Sequence, residues 1–292
     1  MPSISLINAG ELKELLSSGA AQVSLIDTRG EEFFAEGHIP GSVHIAWEEW
    51  CEKPPAGLSE ELNQPGYWGM LTEMDDAAVA KRLTELGFNN DKTLVVYADG
   101  KRSKGREGRI SWMLLYFGAK DVRILNGGYK AWLESAGSTE SGATSVLKKA
   151  EPPFHVQRNE GRRVLLKALK EMMAEEPFPL LIDTRSKAEF IGDSYPYMPR
   201  TGTLPHAHLL AYADVFQQDG TFVDSDTFRS MLPSADQQAR KATIAFCEVG
   251  VRACTIALLH EIYTGKIVPV YDGSIMEWGA DPNLPMSRQL KK

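Results

Sequence analysis

The chain states the same plan twice in the same order, and this duplication constrains the fold more than any other feature. The run "VSLIDTRGEEFFAEGHIPGSV" (residues 23–43) is answered by "PLLIDTRSKAEFIG" (179–192), which continues after an insertion into "RTGTLPHAHL" (200–209). "KTLVVYADG" (92–100) is answered by "KATIAFCEVG" (241–250), and "VRILNGGYKAWLESAG" (122–137) by "VPVYDGSIMEWGADP" (268–282). A copy of more than a hundred residues is too long for a solenoid repeat and about the size of a whole domain. Its short β-rich apolar runs suit central parallel strands, buried on both faces. Helical patterns such as residues 75–87 and 165–176 alternate with them, which predicts α/β domains, each a parallel sheet with helices on both faces. The Ser-, Gly- and Pro-rich stretch between the copies reads as a linker. The expected division is 1–140, a linker at 141–155, and 156–292.

Two copies allow residues to be sorted. A feature present in both serves the fold, whereas a feature confined to one is a candidate for function. Asp27 and Arg29 recur as Asp183 and Arg185 and read as structural ion pairs, and the turns at Gly127 and Gly273 read alike. Cys247 has no counterpart, because the first copy offers Tyr97, Ala98 and Asp99 where it would stand.

Cys247 falls where a strand-like run, "TIAF", passes through "CEVGVR" into the helix-like "ACTIALLHEIY". Parallel α/β sheets carry their sites at such carboxyl ends of strands. Backbone amides of a tight loop converge on its centre, and the helix N-terminus adds positive potential. A free thiol, with a pKa of about 8.5, acidifies in that setting and becomes nucleophilic. Glu248, Val249, Gly250 and Val251 are expected to wrap the substrate, and Arg252 to supply fixed charge. Cys254 reads as core, with a secondary role in trapping an oxidised Cys247 as a disulfide; Cys51 carries no signal.

Composition excludes several classes. A net charge of -7 without blocks of like charge argues against a nucleic-acid partner. No apolar run reaches the length of a membrane span, and the start lacks the pattern of a leader, so a cytosolic protein without membrane association is expected. Three scattered cysteines suit free thiols, and no Cys/His spacing marks a metal site.

Taken together, "DTR" with "GHIPGS", "LNGGYKAW", "DTRSKAEFIG", "CEVGVRA" and "VYDGSIMEWGADP" resemble the rhodanese superfamily, in particular the tandem-domain sulfurtransferases of the thiosulfate and mercaptopyruvate types. The resemblance implies an inactive first domain and a catalytic second one, whose Cys247 alternates between thiol and persulfide without metal or organic cofactor. It implies a small sulfur donor, thiosulfate before 3-mercaptopyruvate, and an acceptor that is cyanide or a thiol, including a thioredoxin-like or other protein thiol. A persulfide carrier or regulatory module delivering sulfur to a partner protein is the competing reading. The phosphatases of the same fold place five residues between Cys and Arg; four lie between Cys247 and Arg252, a length that resembles the sulfur-transfer loop. Arg200, in an insertion unique to the second copy, is expected at the mouth of the site, and residues 66–71, "GYWGML", in its opposite wall across the domain interface. The chain departs from the family pattern at three places. Glu248 and Val249 stand where thiosulfate-specific animal members carry basic residues, Glu189 where animal members place a substrate-binding arginine, and Ile275 where a tryptophan is common.

Overall fold

The computed structural model describes residues 3–143, 148–192, 197–234 and 242–287. The chain forms two compact units. The first comprises Met1–Glu49, Glu73–Asn159 and Phe216–Phe222; the second comprises Trp50–Thr72, Glu160–Val215 and Val223–Lys292.

The first unit is built on a parallel sheet of strands β1 (Ile4–Ile7), β2 (Val23–Asp27), β3 (Ser42–His44), β4 (Thr93–Tyr97) and β5 (Val122–Leu125), in the order β1-β5-β4-β2-β3. The second sheet repeats that order with β6 (Arg163–Val164), β7 (Leu180–Asp183), β8 (Ala207–Leu209), β9 (Thr243–Phe246) and β10 (Val270–Tyr271), giving β6-β10-β9-β7-β8. Every pairing is parallel, and parallel neighbours require long crossovers, which helices supply. In chain order these include α1 (Ala9–Gly19), α2 (Glu31–Glu36), α3 (Asp76–Glu85), α4 (Arg106–Tyr116) and α5 (Gly128–Glu134), then α6 (Leu166–Met173), α7 (Lys187–Ile191), α8 (Ser225–Met231), α9 (Val251–Thr264) and α10 (Ser274–Ala280).

Sequence explains the central pieces. "LLID" and the end of "TIAF" are buried on both faces, as strands flanked by helices must be. Helix α9 is apolar around its first half, with Val251 and Ala253 through Leu259 all buried, so it packs as a central helix. Gly250 precedes it with φ +81°, a left-handed conformation that costs glycine nothing.

The register brings the repeated Asp-Thr-Arg to the strand that carries the loop. Asp183 lies opposite Phe246 and Asp27 opposite Tyr97. Arg185 then folds back on Asp183 at 2.7 Å and donates to the Gly202 carbonyl; Arg29 does the same with Asp27 at 2.6 Å and with Gly37. All four side chains are buried, and removing one partner of such a pair costs about 3–5 kcal/mol. These pairs are structural clamps in both copies.

The units depart from the contiguous spans expected from sequence. Residues 50–72 belong to the second unit, where the Leu71 amide donates to Asp272 at 2.9 Å and its carbonyl accepts from Arg163. Residues 216–222 belong to the first, where the Phe222 amide donates to Asn126 at 2.8 Å. Part of the expected linker is also packed: Phe154 is buried, and the Ala150 amide bonds the Thr84 carbonyl at 3.0 Å. Apolar anchors hold this stretch to the first unit despite its Ser-, Gly- and Pro-rich composition; residues 144–147 lie outside the described residues.

Candidate functional site

Strand β9 ends at Phe246, and Cys247 is the first residue of the turn that leads into α9. Its backbone is held by the start of α10. The Cys247 amide donates to Ser274 Oγ at 3.1 Å, and its carbonyl accepts from the Ile275 amide at 3.1 Å. The next carbonyl, of Glu248, accepts from the Met276 amide at 3.0 Å. Ser274 in turn donates to the Tyr271 carbonyl at 2.9 Å. It does so from φ +52°, a conformation that costs a non-glycine residue energy. The turn also differs from its duplicate: Gly127 has φ +83°, whereas Gly273 has an ordinary helical conformation and the positive φ falls on Ser274 alone.

Among the described residues, the amides of Glu248, Val249 and Gly250 donate to no protein acceptor. A loop of this kind offers its donors to an anion. Val249 and Val251 are buried and line the loop with apolar surface. The "GYWGML" segment lies against it within the second unit. A Cβ added to Gly69 would stand 1.9 Å from the Val249 carbonyl oxygen, so only glycine permits this approach. Cys247 itself is 1% exposed. Cys254 donates its thiol to the Gly250 carbonyl at 3.0 Å from within α9, and all three cysteines are free.

Arg252 lies in the first turn of α9, as expected, but its charge is not left for a ligand. The guanidinium is gripped by both oxygens of Glu189, at 2.8 and 2.9 Å, and contacts Glu248 at 3.2 Å. Bidentate pairs of this geometry are among the stronger hydrogen-bonded contacts. Burial alone would raise the Glu189 carboxyl, but Arg252 and Ser186 hold it down at about 2. Burial likewise opposes the charge on Arg252, but Glu189, Cys247 and Glu248 together more than restore it, so the guanidinium titrates above its ordinary value. Glu189 is placed by a capping box with Ser186 at the start of α7, accepting from the Ser186 amide at 3.0 Å. Glu248 also accepts a hydrogen bond from the Tyr197 hydroxyl. Tyr67 packs edge-on against Tyr197, with ring centroids 4.3 Å apart.

Arg200 corrects the sequence expectation. Its guanidinium donates to four carbonyls, of Trp278, Gly279, Asp281 and Leu284, at 2.6–3.1 Å. It closes the carboxyl end of α10, where unsatisfied carbonyls and the helix dipole attract a cation, and it is a clamp there instead of a substrate ligand. Ile275 is fully buried in the core of the second unit. Ser274 and Tyr197 were not singled out by sequence. Ser274 had a signal: its duplicate is Gly128, with φ +61°. No group of three or more His, Cys, Asp or Glu that could hold a metal ion occurs among the described residues.

The first unit shows what the second adds. The Tyr129 amide donates to the Ala98 carbonyl at 2.8 Å just as Ile275 does to Cys247, so Ala98 is the positional equivalent of Cys247. Gly105 and Gly250 are both left-handed residues preceding a helix, which pairs Glu107 with Arg252. The first copy therefore lacks both the thiol and the arginine.

The model of the rhodanese-like domain matches residues 8–135 and 165–281, one match per copy. The chain belongs to the rhodanese-like domain family. A relative named thiosulfate sulfurtransferase, from Corynebacterium glutamicum, is 29% identical over 263 residues, covering 86% of this chain and 79% of its own. The sulfur carrier protein TtuD of Thermus thermophilus is 26% identical over 266 residues, covering 86% of each chain. Among solved structures, the 3-mercaptopyruvate sulfurtransferase-type protein SseA of Escherichia coli superposes with a TM-score of 0.74 at 26% identity, over 92% of this chain and 98% of that one.

Proposed function

We propose that this protein is a sulfurtransferase that carries sulfane sulfur as a persulfide on Cys247. The observation that carries the reading is the placement of a thiol, absent from the duplicate, at the carboxyl end of β9 under a loop whose amides at residues 248–250 have no acceptor among the described residues. In the first half-reaction Cys247 Sγ attacks the outer sulfur of the donor; the sulfur–sulfur bond forms as the donor's own bond to that sulfur breaks, and the remainder leaves with the electron pair. In the second, cyanide or a thiol attacks the outer sulfur of the persulfide and regenerates Cys247. The amides of residues 248–250 stabilise the negative charge that builds up on the transferred sulfur. Arg252, tied to two carboxylates, orders the loop and contributes less free charge than its sequence position suggests. With Cys247 1% exposed, side chains above it must move aside for each transfer.

Thiosulfate is the donor we assign first, with 3-mercaptopyruvate as the alternative; a thioredoxin-like or other protein thiol is a fitting acceptor beside cyanide. No helix among the described residues is long and apolar enough to cross a membrane, and the cysteines are free, which supports a cytoplasmic setting. The test is steady-state formation of thiocyanate from each donor and cyanide. Wild type is expected to give the parallel double-reciprocal lines of a ping-pong cycle, and Cys247→Ser background rates; equal rates in the two proteins would refute the assignment.

A further inference from the structure

We infer that the first copy holds a binding site at the carboxyl end of its own sheet, and that its ligand is a small zwitterion with an apolar body, of the α-amino acid class. A cavity of about 600 Å³ lies there within the first unit, walled by residues that follow β2 and β4 and by α5. Small-molecule sites span about 300–1,000 Å³, so the volume suits such a ligand. Apolar surface comes from Phe33, Tyr129 and Leu133. The Arg29 guanidinium lies 3.8 Å from the centroid of the Tyr129 ring and holds it as a wall, whereas Phe33 is 47% exposed and Leu133 48%. Counted from the repeated Asp-Thr-Arg, Phe33 stands where the second copy has Glu189. There Glu189 closes on Arg252; here Glu107 takes the arginine's position, and an open phenyl ring replaces the carboxylate.

The charges lining the cavity leave one group of each sign without a partner. Arg29 uses Nε and Nη2 on Asp27 and the Gly37 carbonyl. Lys130 pairs with Glu134 at 3.5 Å and donates to the Asp219 carbonyl at 3.3 Å. Asp99 and Arg102 remain, and neither side chain has a hydrogen-bond or ion-pair partner among the described residues. Burial raises the Asp99 carboxyl above its ordinary value, and Arg29 and Arg102 oppose that rise without cancelling it. An ammonium brought to Asp99 completes the neutralisation, and a carboxylate fits the planar donor fork of Arg102. A ligand with a single charge meets only one of the two. A zwitterion meets both, and its apolar side chain covers Phe33, Tyr129 and Leu133.

Three probes of one shape test this: L-phenylalanine, 3-phenylpropionate, which lacks the ammonium, and 2-phenylethylamine, which lacks the carboxylate. Ligand-observed NMR titrations of the full chain give the affinity of each for wild type, Asp99→Asn, Arg102→Gln and Phe33→Ser. Wild type is expected to hold L-phenylalanine about tenfold or more tighter than either truncated probe. Asp99→Asn is expected to bring L-phenylalanine down to the level of 3-phenylpropionate, and Arg102→Gln to the level of 2-phenylethylamine. Phe33→Ser is expected to weaken all three alike. Arg102 and Phe33 are exposed, so their variants keep the fold and carry the test should Asp99→Asn fail to fold. Equal binding of the three probes by wild type, affinities that neither Asp99→Asn nor Arg102→Gln alters, or no saturable binding of L-phenylalanine up to about 10 mM would each overturn the inference. None of these outcomes bears on Cys247, whose sulfur loading is read separately.

Discussion

Glu107 shows how much one substitution changes between the copies. It occupies in the first unit the position that Arg252 holds in the second, and it is 2% exposed. Burial pushes its carboxyl up to about 7, against the hydrogen bond it accepts from Ser103. A carboxyl raised on folding holds a proton that the unfolded chain releases near pH 4.3, so its contribution to stability is complete below that value and is lost as pH rises through about 7. Glu107→Gln is therefore expected to flatten the decline in urea-unfolding stability between about pH 5 and about 8, and an unchanged decline would contradict this origin. At this scale the sequence singled out the residue proposed to carry the chemistry but not how the charges beside it are used. Cys247 was legible because the duplicate lacks it. The capture of Arg252 by Glu189 joins residues 63 positions apart, and no local pattern encodes it. Arg200 misled for a similar reason, since the carbonyls it satisfies lie 78 or more positions away.

The strand–turn–helix element was legible almost to the residue. "TIAF" is a short apolar run, Gly250 breaks the pattern where positive φ is needed, and the helix after it is apolar on most sides. The sequence did not reveal what lies against the turn, because Gly69 is nearly two hundred positions away from it. Gly69→Ala is expected to displace the Val249 carbonyl, which would otherwise stand 1.9 Å from the new methyl carbon, and to lower sulfur loading of Cys247 by about tenfold or more with the overall fold retained. Rapid-quench loading kinetics beside circular dichroism check this; an unimpaired rate would show that the loop does not depend on that close approach.

In the whole molecule, duplication is the organising fact, and the repeated β1-β5-β4-β2-β3 order follows from the repeated sequence. Residues 50–72, including the 66–71 segment expected at the site from across a domain interface, and residues 216–222 were assigned to the other unit from sequence because they fall between the repeated motifs, and only packing places them. The sulfur chemistry proposed for the second copy depends on a complete local arrangement, not on a thiol alone. A double variant, Ala98→Cys with Cys247→Ser, is therefore expected to take up no sulfur, because Glu107 stands where the loop arginine would be; a mass gain in that variant would show that any thiol at the strand end suffices. Persulfide formation on Cys247 is read by intact-protein mass spectrometry of wild type and Cys247→Ser before and after incubation with thiosulfate or mercaptopyruvate. Wild type is expected to gain one sulfur atom, a gain absent in the variant and discharged by cyanide. A gain that persists in Cys247→Ser, or no gain in wild type with either donor, would contradict a persulfide on Cys247.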